Sequence, residues 1–234
     1  MNPLLERLRG GLIVSVQAEG GSVLNTPEAI ALLARCVWAN GAAAVRIEGA
    51  ARIAAVRAAL ADVPLIGIIK CAHAGFEPYI TSTHEEVHAV AQAGADIVAF
   101  DATARTRATG LSVAAAIALA HAAGLVAMAD CSEEADASAA IEAGADIVAT
   151  TLAGYTPPTL GRPLPALDLA RVIASRHPFA VCEGGVGTPA EAAAAFAAGA
   201  SAVVVGTAIT NIDVLVRRFV SASPRAGQPS PPRF

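Results

Sequence analysis

Charge and aromatic rings are what this chain has least of. Charged side chains make up 15% of its 234 residues and aromatic ones 4%, and the net charge is −4. A chain with so few bases has no basic field for nucleic acid or anionic lipid, and so few rings build no platform for stacked bases. Long apolar runs are missing too. None approaches the roughly 18 residues that a membrane span needs, although 55% of the residues are hydrophobic. The opening MNPLLERLRGG mixes acid with base and holds no apolar stretch of the signal-peptide kind. Cys36, Cys71, Cys131 and Cys182 show no close pairing, and reduced thiols are the default without an export signal. The expectation is a soluble, cytoplasmic protein that binds neither nucleic acid nor membrane. The length suits one large domain or two small ones.

What the chain does have is a phrase written twice. AGADIVA starts at Ala93 and again at Ala143. Each copy follows an Ala-rich stretch of helical composition. Gly94 and Gly144 stand where a helix stops in a left-handed turn, and Ile and Val then form a short run suited to a strand buried on both faces. The same grammar recurs in WANGAAAVRIEG from Trp38, HAAGLVAMADC from His121 and FAAGASAVVVGT from Phe196. GLIVSVQ, PLIGIIK and FAVCEGG supply three more strands. The spacing predicts strands near 12–16, 43–47, 65–69, 96–100, 125–129, 146–150, 179–183 and 201–205. Helices are predicted near 27–40, 50–61, 83–93, 112–123, 133–143, 166–176, 188–198 and 209–220. Eight alternations in this length favour a closed parallel (β/α)8 barrel over an open doubly wound sheet, which usually has fewer strands. The barrel is expected over 1–221 as a single α/β domain. Residues 222–234, rich in Pro and Ser, are expected to form a disordered tail.

Such barrels place their chemistry where strands end. The predicted ends carry Gln17, Arg46 with Glu48, Lys70, Asp101, Asp130, Thr150 with Thr151 and Tyr155, Glu183, and Gly206 with Thr207. Each admits a plain reading beside a functional one. Lys70 either snorkels to the rim or, approached through apolar LIGIIK, has a lowered pKa and serves as a base. Glu183 is either a solvated loop carboxylate or its partner. Arg46 and Asp130 pair across the mouth, touch substrate, or do both. Asp101 and Asp130 have the chemistry to hold a divalent ion, though no third carboxylate clusters with them. His84 and His88 share a helical face and read as surface residues. Cys131 and Cys182 read as small packing groups. EGGVGTP after the seventh strand and GTAIT after the eighth put backbone amides at helix starts, where barrels commonly bind phosphate. Gly184, Gly185, Gly206 and Thr207 lie in those segments.

GLIVSVQ, RIEG, IGIIK, YITSTHEEV, GADIVAFDAT, ADCS, TTLAGYT, EGGVGTP and GTAIT, in this order, resemble the N-acetylmannosamine-6-phosphate 2-epimerase family. The resemblance runs from Gly11 to about Val220. It implies a phosphate-binding barrel that interconverts the 6-phosphates of N-acetylmannosamine and N-acetylglucosamine in sialic acid catabolism, without cofactor or metal. By the same resemblance Lys70 and Glu183 are catalytic. Gln17, Arg46, Asp130 and Tyr155 match substrate-contacting positions, and Gly185, Gly206 and Thr207 lie in the phosphate-binding segments; by their places at the strand ends, Thr151 is expected to join the first group and Gly184 the second. The partner implied is a small sugar phosphate, and a homodimer is expected.

Three positions depart from the family pattern. Cys71 follows the lysine where a basic residue is usual, Gly185 replaces a polar or basic side chain, and Asn211 stands where Arg is common. The last two lower positive charge near the expected phosphate, leaving it to amides and the helix dipole, or point to a shifted substrate. Arg105, Arg107 and Arg162 are the candidates for compensation. An aldolase or pentulose-phosphate epimerase on the same barrel, and a non-catalytic sugar-phosphate binder, stay open as alternatives.

Overall fold

A strand turns alternate side chains to opposite faces, so the parity of a residue decides its neighbours. The computed structural model describes residues 2–224. Its parallel strands are β1 (Leu12–Val16), β2 (Ala44–Glu48), β3 (Leu65–Ile68), β4 (Ile97–Asp101), β5 (Val126–Asp130), β6 (Ile147–Ala149), β7 (Ala180–Cys182) and β8 (Ala202–Val205). They pair in chain order, and β1 pairs with β8, which closes the ring and excludes the open sheet. Of the expected tail, everything from residue 225 onward lies outside the described residues.

The helices are α1 (Pro3–Leu8), α2 (Pro27–Ala39), α3 (Ala50–Ala59), α4 (His84–Gln92), α5 (Val113–Ala122), α6 (Glu134–Glu142), α7 (Leu167–Arg176), α8 (Pro189–Ala197), α9 (Thr207–Thr210) and α10 (Ile212–Ser221). The single helix expected at 209–220 is thus two, broken at Asn211, whose side chain accepts the Val214 N–H as the N-cap of α10. The sequence reading missed α1. Asn2 caps it, Pro3 occupies its first turn, and Leu5 and Leu8 bury into the same cluster as the barrel interior. Arg9, just beyond it, sets its guanidinium 5.2 Å from the Phe179 ring centroid. This short helix closes the end of the barrel from which the strands start.

Inside the ring, Ile13, Ala44, Ile66, Ile68, Ile97, Val126, Met128, Ile147, Val181 and Val204 pack together. The alternate residues Val14, Val45, Ile47, Val98, Phe100, Ala127 and Val148 face the helices. Advancing the inward parity by two along each strand ends on Gln17, Glu48, Lys70, Asp101, Asp130, Thr151, Glu183 and Gly206. Apolar layers therefore plug the barrel below, and polar side chains gather at its mouth.

The repeated phrase serves this architecture. Gly94 and Gly144 have φ of 91° and 87° and end α4 and α6 in the left-handed region where glycine carries no steric penalty. The aspartates do matching work. Asp96 Oδ2 accepts the Leu65 N–H and the Arg57 guanidinium, and Asp146 Oδ2 accepts the Ala127 N–H and contacts His121. Each one ties its own strand to the start of the strand before it. The two copies are structural units, not functional sites.

Candidate active site

The mouth opens on a cavity of about 720 Å³. Gln17, Arg46, Lys70, Thr151, Tyr155, Glu183, Gly184, Gly185, Gly206 and Thr207 all line it. Asp130 does not: its side chain is wholly buried beneath the cavity floor.

Arg46 organises the floor. It projects inward from the middle of β2 with 1% of its side chain exposed. Nη1 and Nη2 donate to Asp130 Oδ1 (3.1 Å) and Oδ2 (2.6 Å), a bidentate fork, and Nη1 also donates to Glu183 Oε2 (2.8 Å). Burial works against the charge on Arg46, but Asp130 and Glu183 outweigh it and raise the guanidinium pKa further. Among the described residues, Arg46 Nε is the buried side-chain nitrogen left without a protein partner. Thr151 Oγ1 stands 2.6 Å from Asp130 Oδ1 and 3.1 Å from Glu183 Oε2. One hydroxyl proton serves only one of these at a time. Thr150 clamps the end of β7 from behind, bonding both the N–H and the carbonyl of Glu183.

Glu183 is pushed above the usual carboxylate range, first by burial and then by Asp130, against the opposing pull of Arg46. Lys70 lies on the far side of the mouth. Its Nζ donates to Gln17 Oε1 (2.6 Å), and Gln17 Nε2 in turn donates to Ser15 Oγ (2.6 Å). Although it opens to the cavity, protein surrounds it on most sides; burial first, then the Arg46 charge, pull its ammonium below the usual lysine range. β3 and β7 are four positions apart in a ring of eight, so Lys70 and Glu183 face each other across the cavity.

The loops after β7 and β8 form one wall. Gly184 and Gly185 have φ of 100° and 73°. A Cβ on Gly185 would lie 2.3 Å from Leu164 Cβ, so Leu164 fills the space that a side chain there would need. No side chain caps α9; the Ile209 and Thr210 N–H groups donate to the Gly206 carbonyl, which leaves those of Thr207 and Ala208, both lining the wall, without an intrahelical acceptor. Asn211 is spent as the α10 cap. Arg105 and Arg107 do not compensate: Arg105 pairs with Asp101 (2.6 Å), and Arg107 donates to the carbonyls of Asp101 and Thr103. Arg162 is exposed outside the cavity lining. The sequence reading missed Arg218, which does line this wall, from α10. Its signal was present: seven residues, about two helical turns, separate it from Asn211 and place both on one helical face.

The metal alternative for Asp101 and Asp130 meets a charge argument. Asp101 is taken up by Thr103 and Arg105, and Asp130 by Arg46 and Thr151. Both carboxylates already have guanidinium counterions. His84 and His88 are exposed on α4, and Cys131 and Cys182 are buried thiols, the latter packed behind β7.

A closed parallel barrel with a charged floor and glycine loops after its last two strands is a barrel enzyme scaffold of the phosphate-binding type. Residues 30–224 match the family described as "Putative N-acetylmannosamine-6-phosphate epimerase", and the chain belongs to it. Over 221 residues it is 43% identical to the Synechococcus elongatus protein named as such a 2-epimerase, covering 93% of this chain and 95% of that one. A Yersinia pseudotuberculosis protein of the same name is 43% identical over 222 residues, 95% of this chain and 94% of its own. The structure of the N-acetylmannosamine-6-phosphate 2-epimerase from Clostridium perfringens superposes with a TM-score of 0.89 at 33% identity, covering 94% of this chain and 96% of that one.

Proposed function

We propose that this protein is an isomerase that inverts C2 of N-acetylmannosamine 6-phosphate to give N-acetylglucosamine 6-phosphate, a step of amino-sugar and sialic acid catabolism. The observation that carries the reading is the opposition of Lys70 and Glu183 across one cavity whose wall is built for an anion.

The chemistry follows from the substrate. The C2 hydrogen is acidic only beside a carbonyl, so the sugar reacts in its open-chain aldehyde form. A base takes the C2 proton, the bonding pair moves to make a C1–C2 double bond, and the C1 oxygen carries the charge. A proton delivered to the opposite face of C2 restores the aldehyde with inverted configuration. Two groups on opposite sides suit this sequence. Arg46 and Thr151 both engage Oε2 of Glu183, leaving Oε1 for the substrate. In one direction Glu183 accepts the proton and the Lys70 ammonium supplies one. In the other, neutral Lys70 accepts and protonated Glu183 supplies. The pair thus carries one proton in either state, and the opposite directions of the two shifts bring these states closer in energy. The Arg46 guanidinium, which lines the cavity, sets a positive charge beside the developing oxyanion. Gln17 steers Lys70, and Asp130 acts by holding Arg46 and Thr151 rather than by touching substrate. The amides of Gly184, Gly185 and Thr207 receive the phosphate, so that remote binding orients the flexible chain.

The test is conversion of N-acetylmannosamine 6-phosphate in deuterated water, followed at C2 by NMR. Epimerisation with deuterium entering C2 supports the reading; absence of both sinks it, and cleavage instead of inversion transfers the barrel to the aldolases.

Two kinetic predictions belong here. Arg218→Ala is expected to raise KM for the phosphorylated sugar about tenfold with kcat nearly unchanged, the loss of one charge-assisted contact made equally in ground and transition states. The unphosphorylated sugar should show no such change, and equal effects on both sugars would remove Arg218 from the phosphate wall. Asp130→Asn removes the negative charge that helps raise Glu183. The acid limb of the kcat/KM profile, where a second proton binds the Lys70–Glu183 pair, should therefore move to lower pH; an upward move contradicts the assignment.

Self-association is the remaining part of the reading. α10 buries none of its residues and exposes Ile212, Val216, Phe219 and Val220. A face this apolar supports a homodimer, which sedimentation analysis would detect. No helix among the described residues is long and apolar enough to cross a membrane. With four free thiols, we place the reaction in the cytoplasm.

A further inference from the structure

The loop between β3 and α4 departs from the family pattern and is left unused by the chemistry above. With the first turn of α4 it brings together three side chains of different ligand types. Cys71 Sγ, a ring nitrogen of His73 and a carboxylate oxygen of Glu86 all lie within 4.8 Å of one another. None of the three lines the active-site cavity. His73 Nε2 stands 3.0 Å from Glu86 Oε1. The other oxygen of Glu86 is fixed: Oε2 accepts the N–H groups of Ser82 (2.5 Å) and Thr83 (3.1 Å), half of the capping box that starts α4. Oε1 is therefore presented in a set direction, at no further ordering cost.

The backbone beneath Cys71 is held as well. Its N–H donates to the Tyr79 carbonyl (2.9 Å), next to the bridge between Lys70 and Ile80. Cys71 lies at the surface with its ligand group at most half-buried, so an ion and a water both have access.

We propose that Cys71, His73 and Glu86 form a binding site for a zinc-class divalent cation, with the fourth position of the tetrahedron open to water. The donor set decides the class. A thiolate and an imidazole beside one carboxylate suit zinc or cobalt and not magnesium or calcium, which take oxygen ligands. Bond lengths of about 2.0–2.3 Å give tetrahedral edges of roughly 3.3–3.6 Å between ligand atoms. The His73–Glu86 contact is already near that edge, and the exposed Cys71 side chain needs to swing by about 1 Å or little more. The ion displaces the His73–Glu86 contact, takes up the Cys71 sulfur as its proton leaves, and ties the strand end that carries Lys70 to the first turn of α4. None of its three ligands takes part in the reaction proposed at the barrel mouth.

Cobalt(II) reports on it directly. The metal-free full-length protein, titrated with cobalt chloride, is expected to bind one equivalent. It should show a thiolate-to-cobalt charge-transfer band together with the intense visible bands of tetrahedral coordination. Cys71→Ser should lose the charge-transfer band, and His73→Ala should weaken binding at least tenfold. Cys36→Ser, at the other exposed cysteine, should change neither. Zinc should displace the cobalt and raise the melting temperature of the native protein but not of Cys71→Ser. The rival imidazoles are His84 and His88, which share a face of α4 without a thiol. If His84→Ala with His88→Ala abolishes the spectrum while Cys71→Ser keeps it, or if cobalt does not saturate at one equivalent, the site is not where we place it. Circular dichroism of each variant shows that the barrel is intact, and Glu86 is left unaltered because its carboxylate also caps α4.

Discussion

Lys70→Ala should lower kcat for epimerisation by between about 10²- and 10⁴-fold, the usual worth of a positioned acid or base, while the KM set by the phosphate wall changes little. Glu183→Gln should cost as much. It keeps the shape of the side chain and an oxygen for Arg46 and Thr151, but it cannot carry the proton. The two losses differ in a way that only a pair of opposed groups explains. The base that remains in each variant reaches the C2 hydrogen of one epimer alone. In deuterated water each single variant should therefore exchange C2 of one sugar phosphate without inverting it, and the two variants should choose opposite sugars. If Glu183→Gln still inverts, Lys70 handles C2 alone and Glu183 serves a hydroxyl. If Lys70→Ala keeps wild-type turnover, the proposed mechanism is gone.

The legibility of this arrangement in the sequence has a physical basis. In an all-parallel barrel a strand is buried on both faces, so it reads as a short apolar run, and helix-stopping glycines mark the boundaries. For that reason every strand lies within one residue of its expected limits. The parity of the run then points its terminal polar residue inward, and Gln17, Lys70, Thr151 and Glu183 reach the cavity wall by that rule alone. Parity does not report depth. It puts Asp130 on the inward face as it does Glu183, yet Arg46 reaches up from β2 and roofs it over. Resemblance had placed Asp130 against the substrate; the geometry makes it a support for Arg46. Arg46 itself sits one layer below the mouth, a charge in a core layer, which no periodicity announces. The helices that failed to show, α1 and the break between α9 and α10, are short. Six residues and four residues fall below the length over which a 3.6-residue period is visible. Leu164 could not be foreseen beside Gly185 either, because a contact between residues twenty-one apart, with α7 and β7 between them, leaves no local pattern.

Arg46→Met is expected to be the most destabilising of these substitutions, by about 3–5 kcal/mol in urea unfolding at neutral pH. The reason is the company it leaves. Asp130 is fully buried and Glu183 nearly so, at 0% and 13% exposure, and both lose their counterion while staying out of water. The size of the deficit should depend on pH with a sign fixed by linkage. Arg46 is the largest influence that lowers the Glu183 pKa, so its removal raises that folded-state value further. Between the unfolded and folded values the native state holds the extra proton, and its stability falls as pH rises. The penalty should thus be smallest in acid, below the ordinary carboxylate range, and grow on going toward neutrality. Replacing the charges together tests the same argument from the other side. Arg46→Met with Asp130→Leu and Glu183→Gln strands no ion, so it should recover most of the stability and none of the activity. A wild-type level of stability in Arg46→Met alone would mean that solvent reaches the floor, and that the oxyanion donor has no dry site in which to act. Recovery of fold without function in the triple variant would show the opposite: the three charges cost the barrel stability and are placed there for the chemistry.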